Sequence, residues 1–259
     1  MNLSTFRSQT GRQPKYIVSD DLRFVYFVIP KVACTSIKSA LLPLFNVNTP
    51  EGASIREDIA LGLEVHRIFG NSKFQVNRTQ FERKLSRGEY REYFKFAFVR
   101  NPWDRLVSCY SHKIIDVDDT QLEEPPFRER RGGTGAELYK GMSFAEFVET
   151  VCDIPDEEAN MHFRSQHEVV CGSGKDKPIM ADFVGRFENL AADFSVVAER
   201  IGRAQELCLP HRFRSVSRGS RPYTEFYDDR LRNLVYERYR EDIEIFSYSF
   251  GELHSLSPH

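Results

Sequence analysis

The chain has 259 residues, of which 41% are hydrophobic and 29% are charged, and its formal net charge is -2. This length and composition are typical of a globular protein that can bury a sizeable core. The near-neutral charge argues against binding nucleic acid over the whole surface, because such proteins carry a clear excess of positive charge. An anionic ligand would therefore have to be held by a local cluster of positive groups.

Cysteine content and hydropathy restrict the class of protein further. Five cysteines occur without any Cys-x-x-Cys pair, which favours free thiols over a metal site or a disulfide framework, although a single Cys152–Cys171 bridge stays open. No run of eighteen apolar residues and no signal-peptide pattern occur, so we expect a cytoplasmic protein without a transmembrane segment. A chain from which a membrane anchor had been trimmed would look the same.

Short apolar runs and helical spacing predict strands that alternate with helices. Residues 1–20 are polar and predict a flexible N-terminal arm, while residues 21–259 predict a single domain. The predicted strands are Arg23–Ile29, Phe94–Val99 and Met180–Val184. Helices are predicted over residues 37–45, 55–63, 79–92, from Pro102 onwards, after a capping box formed by Ser143 and Glu146, and over residues 190–201 and 227–246.

The alternation of strands and helices predicts an α/β fold. We expect a P-loop-like, three-layer arrangement in which a central parallel sheet is flanked by helices. Residues 116–140 interrupt this pattern, because they are acidic, then rich in proline, then basic and rich in glycine. Long loops in compact domains are often functional, so this segment predicts a lid or an acceptor loop.

The first candidate anion site is the sequence PKVACTS, which connects the first predicted strand to a helix. Backbone N–H groups at a helix start have no partner within the helix, and the helix dipole adds partial positive charge. Lys31 would bring a full charge, and the small Ala33 would let an anion approach the backbone. Thr35 and Ser36 offer hydroxyl donors and can cap the helix. The loop is not a Walker A motif, and a lysine before an ordinary helix cap is the alternative.

The second candidate anion site is the sequence FVRNPWDRLVSCY. Arg100 follows the predicted strand 94–99, and Ser108 lies roughly two turns into the next helix. Ligands of parallel α/β sheets bind outside the carboxyl ends of the strands, so Lys31 and Arg100 converge if their strands are neighbours. The planar guanidinium of arginine suits a phosphate. The alternative is that Arg100 pairs with Asp104 and that Ser108 is buried in the core.

Together and in this order, the two motifs resemble the sulfotransferases that use 3'-phosphoadenosine 5'-phosphosulfate (PAPS). The sequences of the two motifs are most similar to those of the carbohydrate branch, which includes chondroitin, dermatan and HNK-1 sulfotransferases, and of its bacterial relatives. Residues 161–171, 182–194 and 239–250 are similar as well. Residues 116–140 match no stretch of the family, which leaves the identity of the acceptor open.

The resemblance implies an enzyme that moves a sulfuryl group from PAPS to an acceptor hydroxyl on a glycan or a small molecule, without a metal. Lys31 would also neutralise charge on the bridging oxygen as it leaves. The 5'-phosphosulfate would be bound by Lys31, Val32, Ala33, Cys34, Thr35 and Ser36. The 3'-phosphate would be bound by Arg100 and Ser108, and the segment that closes over the nucleotide would contribute Ser217 and Arg218.

An acceptor hydroxyl also needs a general base. His66 is the only histidine between the two motifs, and histidine titrates near neutral pH, so His66 is our first choice, with Glu64 as the fallback. His162 matches a histidine of the carbohydrate branch and can equally be a packed structural residue. Two other functions stay open, namely a P-loop-like kinase and a non-catalytic module of the same fold that binds a nucleotide or a glycan.

Overall fold

The computed structural model describes residues 13–45, 65–70, 73–116, 138–172, 177–210 and 221–251. The chain divides into two compact units. The sheet unit comprises Gln13–Val99 and Val169–Arg214, and the helical unit comprises Met1–Arg12, Arg100–Glu168 and Ser215–His259. Each unit is assembled from segments that are distant in the chain, and the single domain over residues 21–259 stays a prediction.

The sheet unit contains a five-stranded sheet with the order β3-β1-β2-β4-β5. Its strands are β1 (Lys15–Ser19), β2 (Phe24–Phe27), β3 (Gln75–Asn77), β4 (Phe94–Val99) and β5 (Phe183–Arg186). The pairs β2–β4 and β4–β5 are parallel, whereas β1 pairs antiparallel with both β2 and β3. The predicted purely parallel sheet is therefore wrong, since the sheet is mixed and β1 runs against the other strands.

The prediction of a flexible arm over residues 1–20 is wrong for its last part. Tyr16 and Ile17 of β1 are fully buried, because β1 lies within the sheet, paired with β2 on one side and with β3 on the other. The Leu22 N–H donates to Ser19 Oγ at 3.3 Å within the turn, and Arg23 adopts a positive φ of 52°. The first twelve residues lie outside the described part of the chain.

The helices are α1 (Cys34–Leu41), α2 (Arg78–Ser86), α3 (Pro102–Tyr110), α4 (Phe144–Cys152), α5 (His167–Val170), α6 (Leu190–Ile201), α7 (Asp229–Arg238) and α8 (Arg240–Ile245). Residues 65–69 are also helical.

The predictions for β4 and α6 are confirmed residue for residue. The capping box of Ser143 and Glu146 opens α4 as predicted, and Pro102 is the first residue of α3. The predicted helix 227–246 is divided at Tyr239 into α7 and α8, and the predicted helix 55–63 lies outside the described residues.

Aromatic side chains form much of the core of the sheet unit. Tyr26 of β2 stacks on Phe96 of β4, with ring centroids 5.1 Å apart. Phe27 meets Phe81 of α2 edge to face at 5.2 Å, and α2 is fixed by a capping box at Asn77. Such pairs add about 0.5–1.5 kcal/mol each beyond the burial of their area, and they stabilise the sheet from which the candidate loops extend.

The helical unit has its own core between α3, α4, α7 and α8. Trp103, Val107 and Phe147 are buried there with Val235 and Ile243. The Trp103 indole N–H donates to the Arg232 carbonyl at 3.0 Å. Because α3 is buried along almost its whole length, the segment that carries Arg100 and Ser108 is held in place by packing.

Candidate active site

The loop between β2 and α1 has an unusual backbone. Lys31 and Ala33 have positive φ angles of 70° and 61°, which non-glycine residues adopt rarely and at a cost of about 1–3 kcal/mol. Successive N–H groups in such loops can form a concave anion-binding site. Strain of this kind concentrates at functional sites, so it points to the same loop that the sequence selects.

Helix α1 begins directly after this loop. Ala33 is its N-cap residue, without a side-chain cap within the described structure, and the Ile37 N–H donates to the Ala33 carbonyl at 3.0 Å. The expectation that Thr35 or Ser36 caps the helix is therefore wrong, because the left-handed Ala33 takes that position. Thr35 and Ser36 instead belong to the first turn, where backbone N–H groups have no carbonyl four residues earlier in the helix.

The structure brings His66 to this loop. His66 Nε2 lies 3.1 Å from Thr35 Oγ1, and His66 Nδ1 lies 3.2 Å from Lys38 Nζ. His66 is exposed, whereas Lys38 is buried, with 5% of its surface accessible. The histidine selected as a base therefore contacts a hydroxyl of the candidate anion loop.

Lys38 was not predicted as a site residue. Burial lowers the pKa of its ammonium group, the nearby Cys34 opposes this shift, and Lys15 adds to it. The only signal in the sequence is its spacing, because Lys38 follows Thr35 by three residues and so lies on the same face of α1. Its contact with His66 depends on the path of the chain between α1 and residue 66, which the sequence does not show.

Arg100 follows the last residue of β4 and is 6% exposed. Its Nε donates to Asp104 Oδ2 at 2.8 Å, so the ion pair weighed as an alternative is present. A guanidinium has five N–H donors, and this contact engages one of them. Pairing with Asp104 of α3 therefore also fixes the orientation of the Arg100 side chain.

The backbone of Arg100 is fixed by Gln166. The Arg100 N–H donates to Gln166 Oε1 at 2.9 Å, and Gln166 Nε2 donates to the Arg100 carbonyl at 2.8 Å. Gln166 is itself held by Asp242 of α8, whose Oδ2 accepts from the Gln166 N–H at 2.7 Å. Both Gln166 and Asp242 are fully buried. Sequence reasoning missed this pair, which lies in two stretches noted only as similar to the family.

Ser108 differs from its neighbours on α3. Every other residue of this helix is buried, while Ser108 is half-buried. Ser108 is therefore not fully buried in the core of the helical unit, and its role in binding stays a prediction. Asn101 caps α3 by accepting from the Trp103 N–H at 3.1 Å, which fixes the turn between Arg100 and the helix.

Two further histidines, His162 and His167, contact polar side chains. His162 Nδ1 lies 2.7 Å from Asn160 Oδ1 in a partly buried local contact. His167 Nδ1 lies 2.8 Å from Asp242 Oδ1. Burial lowers the pKa of His167, but the hydrogen bonds to Asp242 and Glu168 outweigh it and raise the pKa to about 9. A histidine with this pKa is a poor general base near neutral pH.

Several predicted site elements fall outside the described residues. These are Glu64, Ser217, Arg218 and residues 117–137 of the predicted loop. All five cysteines are free, which leaves no Cys152–Cys171 bridge. Across the described ranges, no helix is long and apolar enough to cross a membrane, and no group of three His, Cys, Asp or Glu side chains could hold a metal ion.

The sheet meets the condition set by the sequence for the two motifs. Strands β2 and β4 are adjacent and parallel, with Phe27 in register with Ala97. Their carboxyl ends therefore lie at the same edge of the sheet, and each is followed by one of the two predicted anion motifs. This is the place where parallel α/β sheets bind their ligands.

Comparison with known proteins gives a consistent result. The model of the family described as "Sulfotransferase family" matches residues 14–249. Carbohydrate sulfotransferase 14 of Danio rerio is 31% identical over 201 residues, covering 76% of this chain and 50% of the relative. Carbohydrate sulfotransferase 11 of Mus musculus is 26% identical over 245 residues, covering 90% of this chain and 66% of the relative.

The chain thus spans between half and two thirds of the length of these two relatives. The search of solved structures found no significant match. The family match covers both candidate anion motifs and nearly all of the described residues. On this evidence the chain belongs to the sulfotransferase family.

Proposed function

We propose that this chain transfers a sulfuryl group from PAPS to a hydroxyl group of a carbohydrate. The observation that carries the proposal is the strained loop from Lys31 to Ala33 at the end of β2, in a member of the sulfotransferase family. The carbohydrate acceptor is inferred from the relatives, which are named carbohydrate sulfotransferases.

The residues of the two motifs have the chemistry that the donor nucleotide needs. The left-handed Lys31 and Ala33 would turn the loop N–H groups into a concave site for the 5'-phosphosulfate, with Lys31 supplying the charge and Thr35 and Ser36 the hydroxyls. Arg100 and the half-buried Ser108 would bind the 3'-phosphate. Charge-assisted hydrogen bonds of this kind contribute about 1.5–3 kcal/mol each. Ser217 and Arg218 stay proposed contacts from a segment outside the described residues.

PAPS supplies an activated sulfuryl group, and the protein must orient it and handle a proton. In-line transfer depends mainly on positioning and on neutralising the charge that develops in the transition state. Lys31 would stabilise that charge on the leaving oxygen. His66, next to Thr35 in the first turn of α1, would take the proton of the acceptor hydroxyl. No metal is needed in this scheme.

No observation favours the kinase alternative, because a Walker A motif is absent from the sequence and the family match is to sulfotransferases. Only a measurement of turnover distinguishes the enzyme from a non-catalytic module, since both would bind the nucleotide. Binding and transfer therefore need separate measurements.

The nucleotide part of the proposal is tested by thermal shift with adenosine 3',5'-bisphosphate, ADP and ATP. A ligand at a hundred times its Kd stabilises the folded protein by about 2.7 kcal/mol, which corresponds to roughly 5–10 °C for a chain of this size. We expect such a shift for the bisphosphate and a much smaller one for ADP and ATP. A larger shift with ATP would contradict the proposal.

A further inference from the structure

One helix holds both ring nitrogens of His66. Lys38 lies one turn after Thr35 on α1, and its Nζ is 3.2 Å from His66 Nδ1, while Thr35 Oγ1 is 3.1 Å from His66 Nε2. The partner of each imidazole nitrogen decides which of the two carries the proton. Lys38 and Thr35 therefore control the tautomer of His66.

The charge of Lys38 decides between two arrangements. An ammonium group can only donate, so a charged Lys38 occupies the lone pair of Nδ1, and the ring proton then sits on Nε2 and is donated to Thr35 Oγ1. Neither nitrogen of His66 can accept a proton in that arrangement. A neutral Lys38 accepts from Nδ1–H instead, and the lone pair of Nε2 becomes available to a hydroxyl.

We propose that Lys38 is the positioning residue of His66, and that loss of the Lys38 proton selects the tautomer in which His66 Nε2 acts as the general base. This inference rests on the proposed function. In the reaction, the acceptor O–H bond breaks and its proton joins Nε2, while the oxygen electron pair forms the new bond to sulfur and the bond from sulfur to the nucleotide oxygen breaks. Lys38 continues to accept from Nδ1–H and stabilises the imidazolium that results.

The surroundings of Lys38 lower the pKa of its ammonium group. Burial lowers the pKa of Lys38, and the positive charge of Lys15 on β1 lowers it further, whereas Cys34 on α1 raises it. Lys15, Cys34 and His66 are thus titratable groups that act on or contact Lys38 from the described elements around it. An amine that loses its proton more readily than an exposed lysine suits a partner that must accept a hydrogen bond.

The tautomer can be observed without turnover by long-range 1H–15N correlation spectra of the full chain bound to adenosine 3',5'-bisphosphate. As pH rises, we expect His66 of the wild type to change from the Nε2–H to the Nδ1–H tautomer. Lys38→Met keeps a similar shape in the buried site and should abolish this change. Lys84→Met is a matched control, since Lys84 lies on the exposed side of α2 in an ion pair with Glu89, and it should keep the change.

Lys38→Arg tests whether His66 needs a residue that can lose its proton or only a positive charge at position 38. Arginine does not release its proton, so it would hold Nδ1 at every pH. We expect kcat to fall by about 10²-fold or more, in the range that a general base contributes, while KM for the nucleotide stays near that of the wild type. Lys38→Met should retain more activity than Lys38→Arg, whereas a purely structural or electrostatic lysine predicts the reverse order.

The possible outcomes distinguish this inference from the proposed function. A His66 tautomer that is the same in wild type and Lys38→Met, or identical pH–rate profiles for the two proteins, would overturn the role of Lys38 while sulfuryl transfer stands. A wild-type protein that shows the tautomer change but transfers no sulfuryl group at any pH would overturn the proposed function instead.

Discussion

Replacing Gln166 by leucine tests how Arg100 is held. Leucine has nearly the same size but lacks the amide, so both hydrogen bonds to the Arg100 backbone, at 2.9 and 2.8 Å, would be lost. The site is fully buried at Gln166, and water therefore cannot replace the missing partners. Each unsatisfied buried group costs about 1–3 kcal/mol, so we expect the free energy of unfolding to fall by about 2–6 kcal/mol.

Urea unfolding of wild type and Gln166→Leu measures this loss directly. Gln13→Leu is the control with the same chemical change, because Gln13 is exposed and its Oε1 accepts from Thr79 Oγ1 at 3.1 Å. Exposed sites usually change stability by less than about 0.5 kcal/mol. We also expect Gln166→Leu to weaken binding of adenosine 3',5'-bisphosphate more than binding of AMP, which lacks the 3'-phosphate.

The reasoning would be refuted if Gln166→Leu destabilised the protein no more than Gln13→Leu. A large loss of stability with unchanged affinity for the bisphosphate would keep the packing argument and remove the link between Gln166 and nucleotide binding. Calorimetry at a temperature where both variants are folded separates these two results.

Three further predictions concern single groups. Arg100→Lys keeps the charge but loses the planar guanidinium, so calorimetry should show binding of adenosine 3',5'-bisphosphate weakened about tenfold or more, equivalent to one charge-assisted hydrogen bond, with AMP little affected. Gly185→Ala should lower the melting temperature, because a Cβ there would lie 2.5 Å from the buried ring of Phe98, and overpacking of this kind costs about 1–3 kcal/mol. Folding raises the pKa of His167 to about 9, from about 6.5 in the unfolded chain. The resulting stabilisation, about 3 kcal/mol, is complete below about pH 6.5 and is lost as pH rises through about 9. The free energy of unfolding of His167→Asn should therefore depend less on pH than that of the wild type.

Local sequence signals predicted several elements to the residue. The apolar run Phe94–Val99 is a strand that is buried almost throughout, and the spacing of Phe194, Val197 and Ile201 matches the buried face of α6. The capping box at Ser143 needs only residues of its own turn. These elements were predictable because the interactions that define them lie within a few residues in sequence.

The features that were missed depend on contacts between distant segments. β1 is a short strand that is stabilised by pairing with β2 and β3, and its polar surroundings in the sequence resemble a loop. Lys38 and Gln166 are buried polar residues whose hydrogen-bond partners, His66 and Arg100, lie 28 and 66 residues away in the chain. A single sequence gives no direct sign of such pairs. His66 was chosen because it is the only histidine between the two motifs, and it lies beside Thr35, whereas its role as a base stays a prediction.

The central claim is tested most directly by incubating the purified chain with 35S-labelled PAPS and a panel of chondroitin and dermatan glycans. The account predicts that the wild type places label on a glycan, and that Lys31→Ala, with an unchanged melting temperature, transfers about 10²–10³ times more slowly, as expected for loss of a transition-state donor. A wild type that binds adenosine 3',5'-bisphosphate yet labels no glycan, or a Lys31→Ala variant as active as the wild type, would contradict the account.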